Sequence, residues 1–346
     1  MSFQMPPTAL SLEELARRQQ NVITASQLRA RGVPSRVVSE HCRRGGPWQR
    51  LLPRVYLLQP GEPTPEQRMW AALLYAAQNG REDGSRTGAV LTGAAALALY
   101  GFTAVPRLPA ITDVEVLVPR QRRLRDVGEV RIRRTSRQLE SREVHGLACA
   151  PVPRAVADAL REWTDSGALD AGLLGSRGLR TVLREAVADG RADGPRSCPP
   201  AELLAELREA GLLSQPRIRA AVDELLAAER QATLGGVLEL AAAELLPTPL
   251  TGPELRMRGG TFVAVPDLYW PLEGVAVEVD SALRCLSDGE TAWMRAGQHR
   301  MAYLGVRVLH LTAEQVAADS AAAAEELRQA LLLGATDLVE LQVAEG

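Results

Sequence analysis

The stretch from Val265 to Thr312, VPDLYWPLEGVAVEVDSALRCLSDGETAWMRAGQHRMAYLGVRVLHLT, constrains the chain more than any other. It predicts two β-strands joined by a turn over Pro271 to Gly274, then a helix over Thr291 to Leu304 stopped by Gly305, then a buried strand over Val306 to Leu311. Three carboxylates fall in it: Asp267 near the end of the first strand, and Glu278 and Asp280 two apart on the second. Side chains at i and i+2 of a strand leave the same face. Glu278 and Asp280 are therefore expected to share a cavity with Asp267 across the turn. Carboxylate oxygens so placed suit a hard cation such as Mg²⁺, with Asp267 and Glu278 as candidate metal ligands and all three as candidate catalytic residues.

The rest of the chain narrows that chemistry. All 40 basic residues are arginine and none is lysine, a bias that accompanies heavy use of Ala, Leu, Gly and Val. A lysine-free chain excludes a P-loop nucleotidase, a pyridoxal-phosphate Schiff base, and a nuclease that positions water with its own lysine. The four cysteines, Cys42, Cys149, Cys198 and Cys285, form no close pair, which argues against structural zinc and against a disulfide framework. No run of about 18 apolar residues exists to cross a bilayer, and no basic-then-apolar leader opens the sequence. A cytoplasmic protein with no membrane partner is expected. At 346 residues, two or three domains are expected, each with its own core.

The net charge of −2 conceals an asymmetry, because residues 1 to 60 hold nine Arg against three Glu. After a loose leader over 1 to 10, Ser11 with Glu14 and Thr24 with Gln27 form two capping boxes, opening a first short helix and a second over Ala25 to Arg31. Pro34 starts a third helix to Arg44, with Val37, Val38, His41 and Cys42 on one face and Arg36, Ser39, Glu40 and Arg43 on the other. Strands over Trp48 to Leu52 and Val55 to Leu58 follow, separated by Pro53 and Arg54. Three compact helices and a hairpin are the order of a winged helix-turn-helix. With the local positive excess, this predicts a reader of double-stranded DNA. The candidate DNA-binding residues are Arg29, Ser35, Arg36, Ser39, Arg43 and Arg44 on the helices, with Arg50 and Arg54 on the wing.

From 61 to 165 the pattern is mixed α/β: helices over Thr64 to Gln78, Thr92 to Tyr100 and Arg154 to Trp163, and strands over Val114 to Val118 and Val130 to Arg134. The basic run Arg120, Arg122, Arg123 and Arg125, followed by Arg131, Arg133, Arg134 and Arg137, reads either as an extended DNA contact or as a charge-guarded strand edge. Residues 166 to 230 read as a helical connector with a linker near GRADGPRSCPP, and 231 to 346 as the last domain. That domain opens with a helix over Gln231 to Leu246 and closes with one long helix over Ala313 to Leu333. Trp270 and Trp293 are expected in core or rim positions.

Pro266, Asp267, Trp270, Pro271, Glu278, Val279, Asp280 and the ending GVRVLHLT resemble a family related to very-short-patch-repair endonucleases, within the PD-(D/E)XK nuclease superfamily. This resemblance spans roughly 231 to 320. Residues 1 to 165 resemble the AbiEi-like abortive-infection antitoxins, through GVPSRVV, PWQRLLPRVYLL, TGAAALALYGF and PVPRAVADAL in order. The second resemblance implies a winged helix, DNA binding and repression of the protein's own operon. Several positions depart from these patterns. Where nuclease relatives carry a helix Glu this chain has Thr233, Leu234, Gly235 and Gly236, and Glu239 is out of register; after the acidic pair it has Ser281, Ala282, Leu283, Arg284 and Cys285 in place of a histidine-bearing segment. Thr92 and Gly93 stand in place of a polar Ser-His pair. Arg54 stands where relatives favour Gly, so a positive φ is not expected in the wing turn.

The expected fold is therefore multidomain α+β and α/β: a winged helix-turn-helix (1 to 60), an AbiEi-like α/β domain (61 to 165), the connector, and a nuclease-like domain. A metal-dependent phosphodiesterase also needs a group to activate water. Lysine is absent, His310 alternates with Val306 and Val308 as a sheet-face residue, and Arg284 stays protonated. The preferred expectation is a DNA-binding regulator, a repressor, with an inactive nuclease-fold domain and no cofactor needed for binding. The alternatives are a Mg²⁺-dependent endonuclease in phage defence or repair, and an antitoxin with a cognate toxin. Two-fold operators make a homodimer the expected assembly.

Overall fold

The computed structural model describes residues 10–77, 88–168, 175–187, 197–280, 288–335 and 341–344. The leader, most of the linker near 190 and the segment Ser281 to Cys285 lie outside the described residues. Within them the chain is a mixed α+β protein with four small sheets, and it divides into two compact units, Met1–Ile218 and Arg219–Gly346. No described helix is long and apolar enough to cross a membrane.

The first unit opens with α1 (Leu12–Arg18), β1 (Val22–Thr24), α2 (Ala25–Ala30), α3 (Ser35–His41), β2 (Gln49–Leu52) and β3 (Val55–Leu57). Both expected capping boxes form, Ser11 with Glu14 and Thr24 with Gln27. The helix α3 is shorter than expected. It stops at His41 because the chain turns back through Gly45 (φ 79°), bringing Trp48 N–H onto the His41 carbonyl at 3.1 Å. The three-residue strand β1 joins the hairpin in the order β1-β3-β2. Ala16, Ile23, Leu28 and Val38 form the small core beneath these elements, with Trp48 and Tyr56 against it. The turn between β2 and β3 corrects the expectation for Arg54, whose φ is +64°. Pro53 fixes the preceding φ near −65°. The next residue must then close the turn in the left-handed region, which for a side chain other than Gly costs about 1–2 kcal/mol.

Next come α4 (Pro65–Ala77), β4 (Val90–Leu91), α5 (Gly93–Leu99), β5 (Val114–Pro119), β6 (Val130–Thr135), β7 (Arg142–Val144), β8 (Leu147–Cys149), α6 (Val152–Asp165), α7 (Gly175–Val187) and α8 (Pro200–Glu209). The five strands order as β6-β5-β4-β8-β7, so the arginine-rich β6 is an edge. A buried polar network crosses this sheet and its helices. The Thr92 hydroxyl donates to Asp158 Oδ2 at 2.7 Å, Arg154 Nε donates to the same oxygen at 2.9 Å, and Arg133 Nε donates to Glu115 Oε1 at 2.6 Å. Burial pushes the Glu115 carboxyl up to about 7, with the Arg133 charge pulling the other way.

The helix α9 (Pro216–Ala243) runs on from the first unit into the second, so the boundary expected at Gln231 falls inside one continuous helix. The second unit continues with β9 (Leu250–Thr251), β10 (Glu254–Met257), β11 (Phe262–Ala264), β12 (Leu268–Trp270), β13 (Val275–Asp280), α10 (Asp288–Tyr303), β14 (Arg307–Thr312), α11 (Ala313–Ala318), α12 (Ser320–Leu333) and β15 (Leu341–Ala344). One sheet orders β14-β13-β12-β9 and the other β11-β10-β15. Alternation along β13 builds two cores. Val275, Val277 and Val279 pack with Leu234 and Val237 of α9 and Leu327 of α12, while Ala276 packs with Met301 of α10 and Leu304 just after it. Gly236 lets α9 come close to α11, since a Cβ there would lie 2.8 Å from Val316 Cγ1.

Three expectations are corrected in this unit. The closing helix is two helices, because Asp319 leaves helical geometry and caps α12 by accepting the Ala322 N–H at 3.2 Å. The strand β14 is a sheet edge, with Leu311 its buried residue rather than the whole run. Trp293 is 57% exposed, whereas Trp270 is buried and donates its indole N–H to the Pro247 carbonyl.

A Cβ on Gly93 would meet Glu115 Oε2 at 1.9 Å, and its φ is +62°. Because Arg133 holds the other carboxylate oxygen, Gly93→Ala is expected to destabilise the protein by about 2–4 kcal/mol in urea unfolding. The raised Glu115 carboxyl binds a proton more tightly folded than unfolded. Its contribution is thus full below 4.5 and is lost as pH rises towards 7. Stability measured across that window should fall, and Glu115→Gln should flatten the slope.

Candidate functional site

The N-terminal elements form an open cleft of about 770 Å³, lined among others by Arg29 of α2, Ser35 and Ser39 of α3, Arg43 and Arg44 after it, and Arg50 of β2. Six of the eight residues singled out from the sequence thus share one surface. The other two lie apart from it. Arg36 is spent on Glu40, its neighbour one turn on, at 3.1 Å, and Arg54 sits at the tip of the β2–β3 turn. Ser39 donates its hydroxyl back to the Ser35 carbonyl at 3.0 Å.

Charge pairing divides the basic run itself: Arg120, Arg123 and Arg125 are exposed and pair with no carboxylate among the described residues, while others of the run are engaged. Arg29, Arg43, Arg44, Arg50 and Arg54 are exposed and pair with no carboxylate among the described residues. In the central sheet, Arg131 pairs with Asp113, Arg133 with Glu115, and Arg137 with Glu206 and Glu209, while Arg122 donates to the Ala76 carbonyl. Those four guanidinium groups are bound into the packing around β6, which is an edge strand.

In the second unit, Asp267 lies in the bend just before β12, not at a strand end. Leu268 pairs with Val277, which sets Asp267 level with Glu278, and Glu278 in turn pairs in register with His310 of β14. Both Asp267 and Glu278 are buried. Asp280 closes β13 opposite Thr312; its side chain lies outside the described residues. The register therefore sets Asp267 opposite Glu278, and Glu278 lines a cavity whose lining does not include Asp267.

The partners of Asp267 change what the pair can do. Its Oδ2 accepts the Val279 N–H at 2.8 Å, and its Oδ1 is bridged by the Arg230 guanidinium. Arg230 and Arg300 line the cavity that Glu278 lines. A divalent cation needs several carboxylate oxygens turned to one point. Here a guanidinium holds the position beside Asp267, and the described residues contain no group of three His, Cys, Asp or Glu suited to a metal. With Arg230 on Asp267, the described side chains do not assemble a Mg²⁺ site.

Sequence reading missed Arg230 because it placed that residue in the connector. Its signal lies in the phase of α9: Leu226, Leu234, Val237 and Ala241 are buried, and Arg230 occupies the same stripe, four residues from Leu226 and from Leu234. A half-exposed arginine in an apolar register can reach a carboxylate at the edge of the core, as Arg230 reaches Asp267. Glu229 beside it was missed for the same reason; its Oε2 is buried without a hydrogen-bond partner among the described residues, and burial raises its pKa.

No protein-family model matches the chain, and no curated protein matches it. A crystal structure of the RV2827C protein from Mycobacterium tuberculosis is similar over 61% of this chain and 78% of that one, at 18% identity and a TM-score of 0.30. That degree of likeness carries no argument about fold or function.

Arg230→Ala strands a buried carboxylate that keeps only the Val279 N–H. It is expected to cost about 1–3 kcal/mol in urea unfolding, less than a fully buried pair because the arginine is half exposed. Millimolar Mg²⁺ should leave the melting temperature of the unsubstituted protein unchanged.

Proposed function

We propose that the protein is a double-stranded-DNA-binding regulator whose N-terminal elements act as a winged helix, with α3 entering a major groove and the β2–β3 turn lying along the backbone. The observation that carries this reading is the set of unpaired arginines on one cleft, Arg29, Arg43, Arg44 and Arg50. Guanidinium groups without internal counter-charges are available to replace the cations condensed on DNA phosphates. Ser35 and Ser39 add short polar side chains on the outward face of α3. Arg54 supports the same reading, because a charged residue in a conformation that favours Gly gives up stability for its position at the turn tip. The second unit serves as a non-catalytic nuclease-like body, since Arg230 neutralises Asp267.

Fluorescence anisotropy of the full chain on duplex DNA tests this. Affinity should fall steeply with salt, and Arg43→Ala, Arg44→Ala or Arg50→Ala should each lower the log–log salt slope by about 1. Arg36→Ala, which removes a group already paired with Glu40, should change it little. Arg54→Gly should separate the two properties, raising stability by about 1 kcal/mol while weakening binding. Salt-independent binding, or equal effects of Arg36→Ala and Arg44→Ala, would overturn the assignment.

A further inference from the structure

The corrected position of Trp293 exposes a second site that DNA reading does not use. On α10, Trp293, Gly297 and Arg300 follow at i, i+4 and i+7, one face of the helix, and all three line a cavity of about 250 Å³ with Arg230, Glu278 and Ala264. Phe262 stacks on the Trp293 indole with ring centroids 5.8 Å apart and planes 23° from parallel. The indole nevertheless stays 57% exposed, in a chain with only five tryptophans. A large aromatic side chain left open beside a cavity is a ready stacking surface. Between it and Arg300, Gly297 contributes no side chain to fill the space.

Arg300 provides the second element. Its Nε donates to the Val263 carbonyl at 2.8 Å and its guanidinium lies 5.8 Å from the Phe262 centroid, so the group is held in place at the mouth. No carboxylate among the described residues pairs with it. Arg230, by contrast, is committed to Asp267. A fixed guanidinium without a counter-ion recognises phosphate through its fork of N–H donors. The cavity is smaller than the roughly 300–1,000 Å³ usual for drug-sized ligands, so it receives part of a small ligand whose ring lies on the open Trp293 indole.

We propose that this cavity binds a nucleoside monophosphate, with the base stacked on Trp293 and the phosphate on Arg300. The site is independent of the N-terminal cleft, and its failure would leave the DNA-binding reading untouched. Isothermal titration of the full chain with AMP, GMP, adenosine, inorganic phosphate and a 5′-phosphorylated single-stranded oligonucleotide tests it. A mononucleotide should bind at least about tenfold more tightly than either adenosine or phosphate alone. Trp293→Ala and Arg300→Gln should each weaken that binding by about tenfold or more, with unchanged melting temperature showing an intact fold. Absence of mononucleotide binding, or binding undiminished in both variants, would overturn the proposal. Binding of the oligonucleotide without the mononucleotide would also overturn it, and would assign the surface to a strand end.

Discussion

A carboxylate buried in a protein must be neutralised or hydrogen-bonded, and what neutralises Asp267 governs what the second unit can do. The side chain fastens the bend before β12 to β13 through the Val279 N–H and to α9 through Arg230. In a metal centre the same oxygen would be a ligand, and the cation would supply the positive charge. Here a guanidinium lies beside that oxygen and supplies the positive charge. Asp267 thus serves the packing of the unit through its pair with Arg230, while Glu278 lines a cavity with Trp293 and Arg300.

The same accounting of charge organises the first unit. With no lysine in the chain, every basic task falls to arginine. Where arginine meets a carboxylate, as in Arg133 with Glu115 or Arg154 with Asp158, it is bound into sheet and helix packing. Four that do not, Arg29, Arg43, Arg44 and Arg50, line one concave surface. An overall charge of −2 says nothing about this. Partition between paired and unpaired guanidinium groups, not their number, distinguishes a surface for an anionic polymer from a solvated edge.

Local rules made much of the fold legible. Both N-terminal capping boxes form where Ser11 and Thr24 predict them, and β5, β6, β12 and β13 follow from β-branched or aromatic runs bounded by turn residues. The level placement of Asp267 and Glu278 was also legible, because a short turn fixes register. What escaped was non-local. The strand β1 has three residues and exists only because β3 pairs with it, and β15 depends likewise on β10. The left-handed Arg54 is forced by Pro53 and the strands on either side rather than by its own preference. Arg230 was hidden because α9 begins well before the position at which apolar periodicity placed it, and Trp293 because aromatic residues are buried by default.

The most direct test follows both halves of the account in one sample: the full chain incubated with end-labelled duplex DNA and Mg²⁺ or Mn²⁺, read for retardation and for cleavage together. The account predicts salt-sensitive retardation with the duplex intact. Cleavage that disappears in Asp267→Ala would contradict it, by showing that the carboxylate paired with Arg230 holds a working metal.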